Sequence, residues 1–123
     1  MTTDASPALF SADSSGTGNA AAIHADSGQP VTPNDPATAG EYIELFGTGF
    51  GATLESGGFE VTSLTPLLRV GEVSATVTFS GVPRGGVGLY QMNFIVPDLP
   101  PGTFEIALSM GSYTSNRVTL PIR

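Results

Sequence analysis

The chain has 123 residues with no cysteine, no lysine, four arginines and eleven acidic residues, so its formal net charge is −7. This length suits one domain with its own hydrophobic core. The absence of cysteine excludes disulfides and thiolate metal sites. The negative charge argues against nucleic acids and anionic membrane surfaces as partners, because basic side chains bind both. No apolar run approaches the roughly 20 residues that span a bilayer, so we expect no membrane insertion.

The first forty residues predict two short strands and a long loop. We expect residues 1–6 to be a flexible N-terminal segment and residues 7–123 to form a single domain. The segments ALFSA (8–12) and NAAAIHA (19–25) flank a turn-rich link, and this arrangement predicts a hairpin. Residues 26–40 contain three prolines and two glycines, which predicts a loop because proline cannot donate to a strand ladder.

Period-two alternation of apolar residues predicts the remaining strands. EYIELF (41–46) places Ile43 and Leu45 on one face of a strand. The glycine-rich turn GTGFG (47–51) follows, and the section up to about residue 60 is only weakly strand-like. The further predicted strands are LLRV (67–70), VSATVTF (73–79), two within GVGLYQMNFIVPDLPPGTFEIALSM (86–110), and NRVTLPI (116–122), with a turn region at 80–88.

Seven to nine short strands at roughly 8–12-residue spacing predict an all-β fold, an antiparallel β-sandwich. We favour a sandwich over a closed barrel because the loop at 26–40 allows the crossing between sheets that Greek-key connections need. Large apolar and aromatic side chains of the two clearest strands supply the expected core. The expected core residues are Ile43, Leu45, Phe46, Tyr90, Met92 and Phe94.

His24 is the only histidine and therefore the first candidate for a general base or a metal ligand. No second histidine or cysteine completes a transition-metal site, and no Gly-x-Ser-x-Gly elbow occurs. We interpret His24 as a strand residue with one solvated face. Loop aspartates can bind calcium, but no D-x-D-x-D-G spacing is present, so turn chemistry is the simpler interpretation. These aspartates are Asp13, Asp26, Asp35 and Asp98.

Paired carboxylates, glycines and aromatic rings are the remaining candidates for a site. Glu41 and Glu44 lie on opposite faces of the predicted strand, so they do not converge as a glycosidase pair. Gly47, Gly49 and Gly51 form a structural turn that permits positive φ, since no helix follows to complete a phosphate loop. Aromatic residues are interpreted as core rather than as sugar contacts, with the Tyr90 hydroxyl bonded to a backbone group. The aromatic candidates are Tyr42, Phe50, Phe59, Tyr90 and Tyr113.

Three segments together resemble a known family. They are PALFSADSSGTGNAAAIHADSG (7–28), AGEYIELFGTGFG (39–51) and FSGVPRGGVGLYQMNFIVPDLPPGTFEIALSMGSYTSNRVTLPI (79–122). In order and spacing they resemble the acidobacterial C-terminal domain family first noted in Solibacter proteins, and GTGFG is similar to a turn of the IPT/TIG group of immunoglobulin-like domains. The resemblance implies an immunoglobulin-like β-sandwich at the end of a large secreted or surface protein. It supplies no catalytic residues, and segment 54–60 departs from the family's Pro- and Ser-rich stretch.

We therefore expect a non-catalytic extracellular or cell-surface module for spacing, adhesion or assembly, without a cofactor and with protein or glycan partners. The start MTTDASPALF has no signal-peptide pattern, so we expect a fragment of a longer protein. The segment Ala8, Leu9 and Phe10 is a candidate for strand exchange, because adding it to the edge of a second copy would give self-association into fibres. The alternative is a carbohydrate-binding module of a secreted hydrolase, which a row of exposed aromatics on one sheet face would favour.

Overall fold

Eleven β-strands form in the part of the chain that the computed structural model describes, which is residues 7–13, 15–51, 53–56, 59–82 and 89–123. These residues contain no α-helix, and so none that is long and apolar enough to cross a membrane. The predicted flexible segment 1–6 lies outside the described residues, as does 83–88 of the predicted turn. The strands are β1 (Ala8–Leu9), β2 (Ala22–His24), β3 (Tyr42–Thr48), β4 (Thr53–Ser56), β5 (Phe59–Thr62), β6 (Pro66–Val70), β7 (Val73–Val82), β8 (Tyr90–Ile95), β9 (Gly102–Met110), β10 (Tyr113–Thr114) and β11 (Val118–Ile122).

These strands pair antiparallel in one continuous sheet that curls into a half-barrel. The order of neighbours is β1-β3-β8-β7-β6-β9-β10, with β2 on β3, β5 on β7, β4 on β5 and β11 on β9. The long strand β7 belongs to both sides, since residues 73–75 pair with β6 and residues 76–81 pair with β8. We call β1 to β5, β8 and the second part of β7 the first half of the sheet. The second half comprises β6, β9, β10, β11 and the first part of β7.

Alternate side chains of both halves meet in one hydrophobic core, because successive residues of a strand point to opposite faces. Phe46 is not among the buried residues: Ile43 and Leu45 take the inward positions of β3, so residue 46 points outward and is half-buried. Tyr90 is also half-buried and packs against the core. The fully buried large side chains are Leu9, Ile43, Leu45, Phe50, Leu68, Val70, Met92, Phe94, Ile106, Leu108, Met110 and Leu120.

The first forty residues tie the two halves of the sheet together. β1 and β2 lie end to end along the same edge of β3. The chain between them forms the predicted hairpin contact at Ser11↔Ala20 and then reaches β11 through the parallel bridge Asn19↔Thr119. Later, Ala37 makes a second parallel bridge to Ile122 of β11. One segment therefore contacts an edge of each half.

Candidate functional site

The side of the first half that points away from the core carries aromatic and amide side chains. The outward residues of β3 and β8 pair across the strands as Tyr42↔Ile95, Glu44↔Asn93 and Phe46↔Gln91. Their neighbours along the chain, such as Leu45 and Met92, are fully buried. Period-two alternation therefore places this set on the surface.

β7 adds a phenylalanine to this surface through a β-bulge. The register of β7 against β8 shifts between Val77 and Phe79, which leaves Thr78 as the extra residue. Val77 packs against the core, and without the extra residue Phe79 would point the same way. The bulge instead brings Phe79 opposite Asn93. There its ring meets the ring of Phe59 edge-on, with the centroids 6.1 Å apart.

We call this surface the aromatic face. Tyr42 and Phe59 are 53% and 44% exposed, whereas Phe46 and Phe79 are half-buried. Phe10, which is 38% exposed, follows β1 beside Phe46 and donates its backbone N–H to the Phe46 carbonyl. A cluster of aromatic rings on the outside of a rigid sheet is a typical contact surface. The face consists of Tyr42, Glu44, Phe46, Phe59, Phe79, Gln91 and Asn93.

The polar centre of the aromatic face is an amide pair on one strand. Gln91 Nε2 donates to Asn93 Oδ1 at 2.8 Å. The amide pair is flanked by Glu44 of β3 on one side and by Phe79 of β7 on the other. Gln91 Oε1 and Asn93 Nδ2 make no further side-chain hydrogen bond to any described residue. An acceptor and a donor therefore face solvent between aromatic rings.

The other aromatic candidates lie away from this face. Phe50 is fully buried, and its ring packs on Tyr90 with the centroids 5.0 Å apart. The Tyr90 hydroxyl donates to the Gly51 carbonyl at 2.9 Å, which is a backbone partner of the expected kind. Tyr113 is 44% exposed on β10 in the second half. The interpretation of the aromatics as core therefore fits Phe50, whereas Tyr42, Phe59 and Tyr113 are exposed.

The GTGFG turn holds Phe50 in the core. Gly49 and Gly51 adopt positive φ of 71° and 99°, where side chains are strained. Gly47 lies within β3 and has a different reason to be glycine: an added Cβ would approach the Ala8 carbonyl oxygen to 2.4 Å. These glycines let the chain turn beneath β1 and send the Phe50 ring inward.

His24 lies in a cluster of charged side chains that the sequence did not predict. It is 5% exposed, because β2 packs between β3 and the loop that follows. Its Nδ1 contacts the Glu41 carboxylate, and its Nε2 lies 3.0 Å from the Asp35 carbonyl oxygen and 3.3 Å from Asp35 Oδ2. Arg123 Nη2 contacts Asp35 Oδ1 at 3.0 Å. The expected solvated face of His24 is thus covered by two acids.

This setting favours the charged form of His24. Burial alone lowers the pKa of a histidine, and here it is the largest single influence. It is outweighed by the hydrogen bond to Glu41, by the bond to the Asp35 carbonyl and by the negative charges of both residues, so the pKa of His24 is raised. Only the protonated ring donates from both nitrogens, which suits two oxygen partners.

We expect the stability of the fold to decrease as the pH rises through the folded-state pKa of His24. Because the pKa of His24 is higher in the folded state, the protonated ring stabilises the fold fully at pH values below the ordinary histidine pKa of roughly 6.5. This stabilisation is lost as the pH rises above the folded-state pKa. Urea unfolding from about pH 5.5 to about pH 9 spans this range. His24→Gln should flatten the profile, whereas Asp98→Asn, in an exposed turn, should keep the wild-type slope. A wild-type profile parallel to that of His24→Gln would contradict the pairing.

The hydrogen-bond partners of the His24 ring among the described residues are acidic residues. Ser27 lines the groove beside His24, but the described hydrogen bonds of the imidazole go to Glu41 and Asp35. Glu44 lies on the aromatic face, away from Glu41. No group of three or more His, Asp or Glu side chains in the described ranges is arranged to hold a metal ion.

Asp13 shows the turn chemistry that the sequence suggested for the aspartates. Its Oδ1 accepts hydrogen bonds from Ser11 Oγ, from Ser15 Oγ and from the Ser15 backbone N–H. The bonds from Ser15 and Ser11 lower the pKa of Asp13 to about 2. The carboxylate therefore organises the link between β1 and β2.

The candidate exchange segment is paired within its own chain. Ala8 and Leu9 pair with Thr48 and Gly47 of β3. The free edge of β1 is covered at Leu9 by the Asn116 carboxamide: Leu9 N–H donates to Oδ1 at 2.7 Å, and Nδ2 donates to the Leu9 carbonyl at 3.0 Å. One side chain thus takes the place of a neighbouring strand.

Neither the comparison with protein-family models nor the comparison with curated proteins found a match for this chain. The described residues form an all-β, antiparallel fold with an aromatic and amide surface, a charged cluster around His24 and a side-chain contact of Asn116 that covers the edge of β1.

Proposed function

We propose that the chain is a non-catalytic immunoglobulin-like β-sandwich module of a secreted or cell-surface protein, serving spacing, adhesion or assembly. A core shared by the two halves of the curled sheet supports the sandwich assignment. Non-consecutive neighbours such as β3 and β8 fit Greek-key connections. The resemblance of the sequence to acidobacterial C-terminal domains and to IPT/TIG domains supports the same assignment.

The aromatic face is the observation that carries this proposal. Aromatic side chains are enriched at binding surfaces, because a rigid ring gives a large contact area at a low cost in conformational entropy. On β3 and β8 the side opposite the face is fully buried at Ile43, Leu45, Met92 and Phe94, so the core holds the geometry of this part of the face. Its partners are proteins or glycans at the cell surface.

The test is retention on an array that carries immobilised proteins and glycans. Beads coated with wild-type protein should adhere to at least one class of surface without cleaving it. The double variant Phe59→Ser/Phe79→Ser should lose adhesion. Tyr113→Ser is the matched control, because Tyr113 is as exposed as Phe59, at 44%, but lies in the second half. Equal adhesion of the double variant and the control would contradict the proposal, as would cleavage of the surface.

Assembly by strand addition is one form of this function. It requires that the edge of β1 first loses the contact that covers it. A second copy that adds to β1 must displace the Asn116 carboxamide from Leu9. The intact chain should therefore be monomeric unless that contact is broken. Fibre formation through Ala8, Leu9 and Phe10 requires this release first.

A second candidate function is favoured by the same aromatic face. A carbohydrate-binding module of a secreted hydrolase would present aromatic rings in a row on one sheet face. This chain has such an arrangement, because Phe46 and Phe79 lie on the same outward face as the amide pair. Adhesion to glycans and carbohydrate binding for a hydrolase use the same surface chemistry. They differ in what the rest of the parent protein does.

A further inference from the structure

We propose that the aromatic face binds an uncharged oligosaccharide chain along the row formed by Phe46, the amide pair and Phe79. The inference rests on the proposed function, in which this face is the contact surface, and it names the chemistry of the partner. Three features of the face carry it: its charge, its free hydrogen-bonding atoms and the spacing of its rings.

The charge of the face selects against acidic partners. Glu44 is its only charged residue among those described. The described arginines lie elsewhere: Arg117 contacts Glu105 at 3.5 Å, Arg123 contacts Asp35, and Arg69 is exposed on β6 in the second half. Sulfated or uronic-acid chains need cations for tight binding. An uncharged chain meets no such requirement.

The free polar atoms of the face match hydroxyl groups. Gln91 uses one amide hydrogen for Asn93 Oδ1, which leaves Gln91 Oε1 as an acceptor and Asn93 Nδ2 as a donor. Glu44, opposite Asn93, adds a carboxylate acceptor. A sugar hydroxyl is both donor and acceptor, so it can satisfy adjacent groups of both kinds. A flat apolar protein partner would leave the amide pair unsatisfied, at a cost to affinity.

The rings are spaced for a chain rather than a single sugar. Phe46 and Phe79 lie on β3 and β7, which are separated by β8. Phe46 is level with Gln91 and Phe79 with Asn93, so at roughly 4.8 Å per strand and about 3.4 Å per residue along the strand their backbones are about 12 Å apart, with the amide pair between them. Phe59 extends the platform beyond Phe79 through its edge-on contact. A short oligosaccharide can therefore contact both rings through its C–H faces while its hydroxyls reach the amides.

The experiment is native gel electrophoresis of the whole chain through gels that contain one soluble polysaccharide each. The net charge of −7 gives the protein mobility in a plain gel. The uncharged probes are hydroxyethyl cellulose, mixed-linkage β-glucan, galactomannan, xylan and starch, and polygalacturonate is the acidic probe. We expect at least one uncharged probe to retard the wild type, and polygalacturonate to have no effect.

Variants locate the binding. Gln91→Ala and Phe46→Ala should each weaken the retardation about tenfold or more, an effect that corresponds to losing one good contact, and Tyr113→Ala should leave it unchanged. Thermal melts establish that each variant is folded, and Gln91→Ala does not touch the core. If none of the uncharged probes retards the wild type, the inference is overturned. This holds even if face-dependent adhesion to proteins on the array upholds the proposed function. Retardation by polygalacturonate alone, or retardation that both face variants retain, also overturns it.

Discussion

Phe50→Ala is expected to lower the free energy of unfolding by about 3–5 kcal/mol, the usual range for removing a buried phenylalanine. The Phe50 ring is fully buried and packs on Tyr90, so its removal leaves a cavity beneath β1 and β3. Backbone with positive φ at Gly49 and Gly51 surrounds the site and restricts how far the chain can collapse into that space. Since domains of this size are stable by about 5–15 kcal/mol, the substitution would remove a large share of the total stability.

The measurement is urea unfolding followed by far-ultraviolet circular dichroism. Phe10→Ala is the matched control, because it makes the same chemical change at a ring that is 38% exposed. We expect Phe10→Ala to lower the free energy of unfolding by at most about 1 kcal/mol. Similar losses for the two variants would mean that Phe50 does not occupy the core.

Removing the Asn116 carboxamide has the second largest expected effect. Asn116→Ala deprives the Leu9 N–H and C=O of their partner and also removes the 2.8 Å bond from Nδ2 to the Gly16 carbonyl. A buried polar group left without a partner costs about 1–3 kcal/mol. The uncovered edge of β1 also becomes able to pair with a second copy, so we expect concentration-dependent dimers or larger assemblies.

Two further variants test this result. One separates the hydrogen bonds of Asn116 from the shape of its side chain, and the other is a control that removes an amide elsewhere. Asn116→Asp keeps the shape but places carboxylate oxygen against the Leu9 and Gly16 carbonyls, so it should destabilise as Asn116→Ala does. Asn93→Ala removes an amide from the aromatic face and should change stability by only about 0.5 kcal/mol. Unfolding curves and light scattering together decide the outcome. A stable, monomeric Asn116→Ala variant would show that the carboxamide does not cover the edge.

Alternation in the sequence predicted the parts of the fold that follow a two-residue period. EYIELF and LYQMNFIV each repeat an apolar residue at every second position, and Ile43, Leu45, Met92 and Phe94 are indeed buried. The same alternation argues against Phe46 as a core residue, because it lies between the inward positions. Local pattern therefore identifies strands and faces wherever pairing is regular.

The sequence predicted only part of the aromatic face, because a β-bulge in β7 interrupts the two-residue alternation. Phe79 follows Val77 at the spacing of one face, yet the extra residue Thr78 turns it outward. A single sequence carries no clear signal for such a bulge. The hairpin of β4 and β5 was missed for a related reason: glycines at 57 and 58 obscure the alternation around it.

The His24 cluster depends on contacts between distant parts of the chain. Its members come from β2, from the following loop, from the residue before β3 and from the C-terminal end of the sequence. No local spacing relates residues 24, 35, 41 and 123. The pairing of β2 with β3 brings His24 beside Glu41, and the parallel bridge of Ala37 to β11 brings Arg123 beside Asp35. The Asn116 contact with Leu9 spans a still longer separation along the chain.

The inference that the aromatic face binds an uncharged oligosaccharide chain decides which partner the module recognises. Nuclear magnetic resonance of isotopically labelled protein during titration with uncharged oligosaccharides tests it most directly. We expect shifts to concentrate on outward positions of β3, β7 and β8, such as Phe46, Phe79 and Gln91, while the signals of Phe50 and His24 stay in place. Shifts centred on the His24 groove or the edge of β1, or no shifts at saturating concentrations, would contradict it.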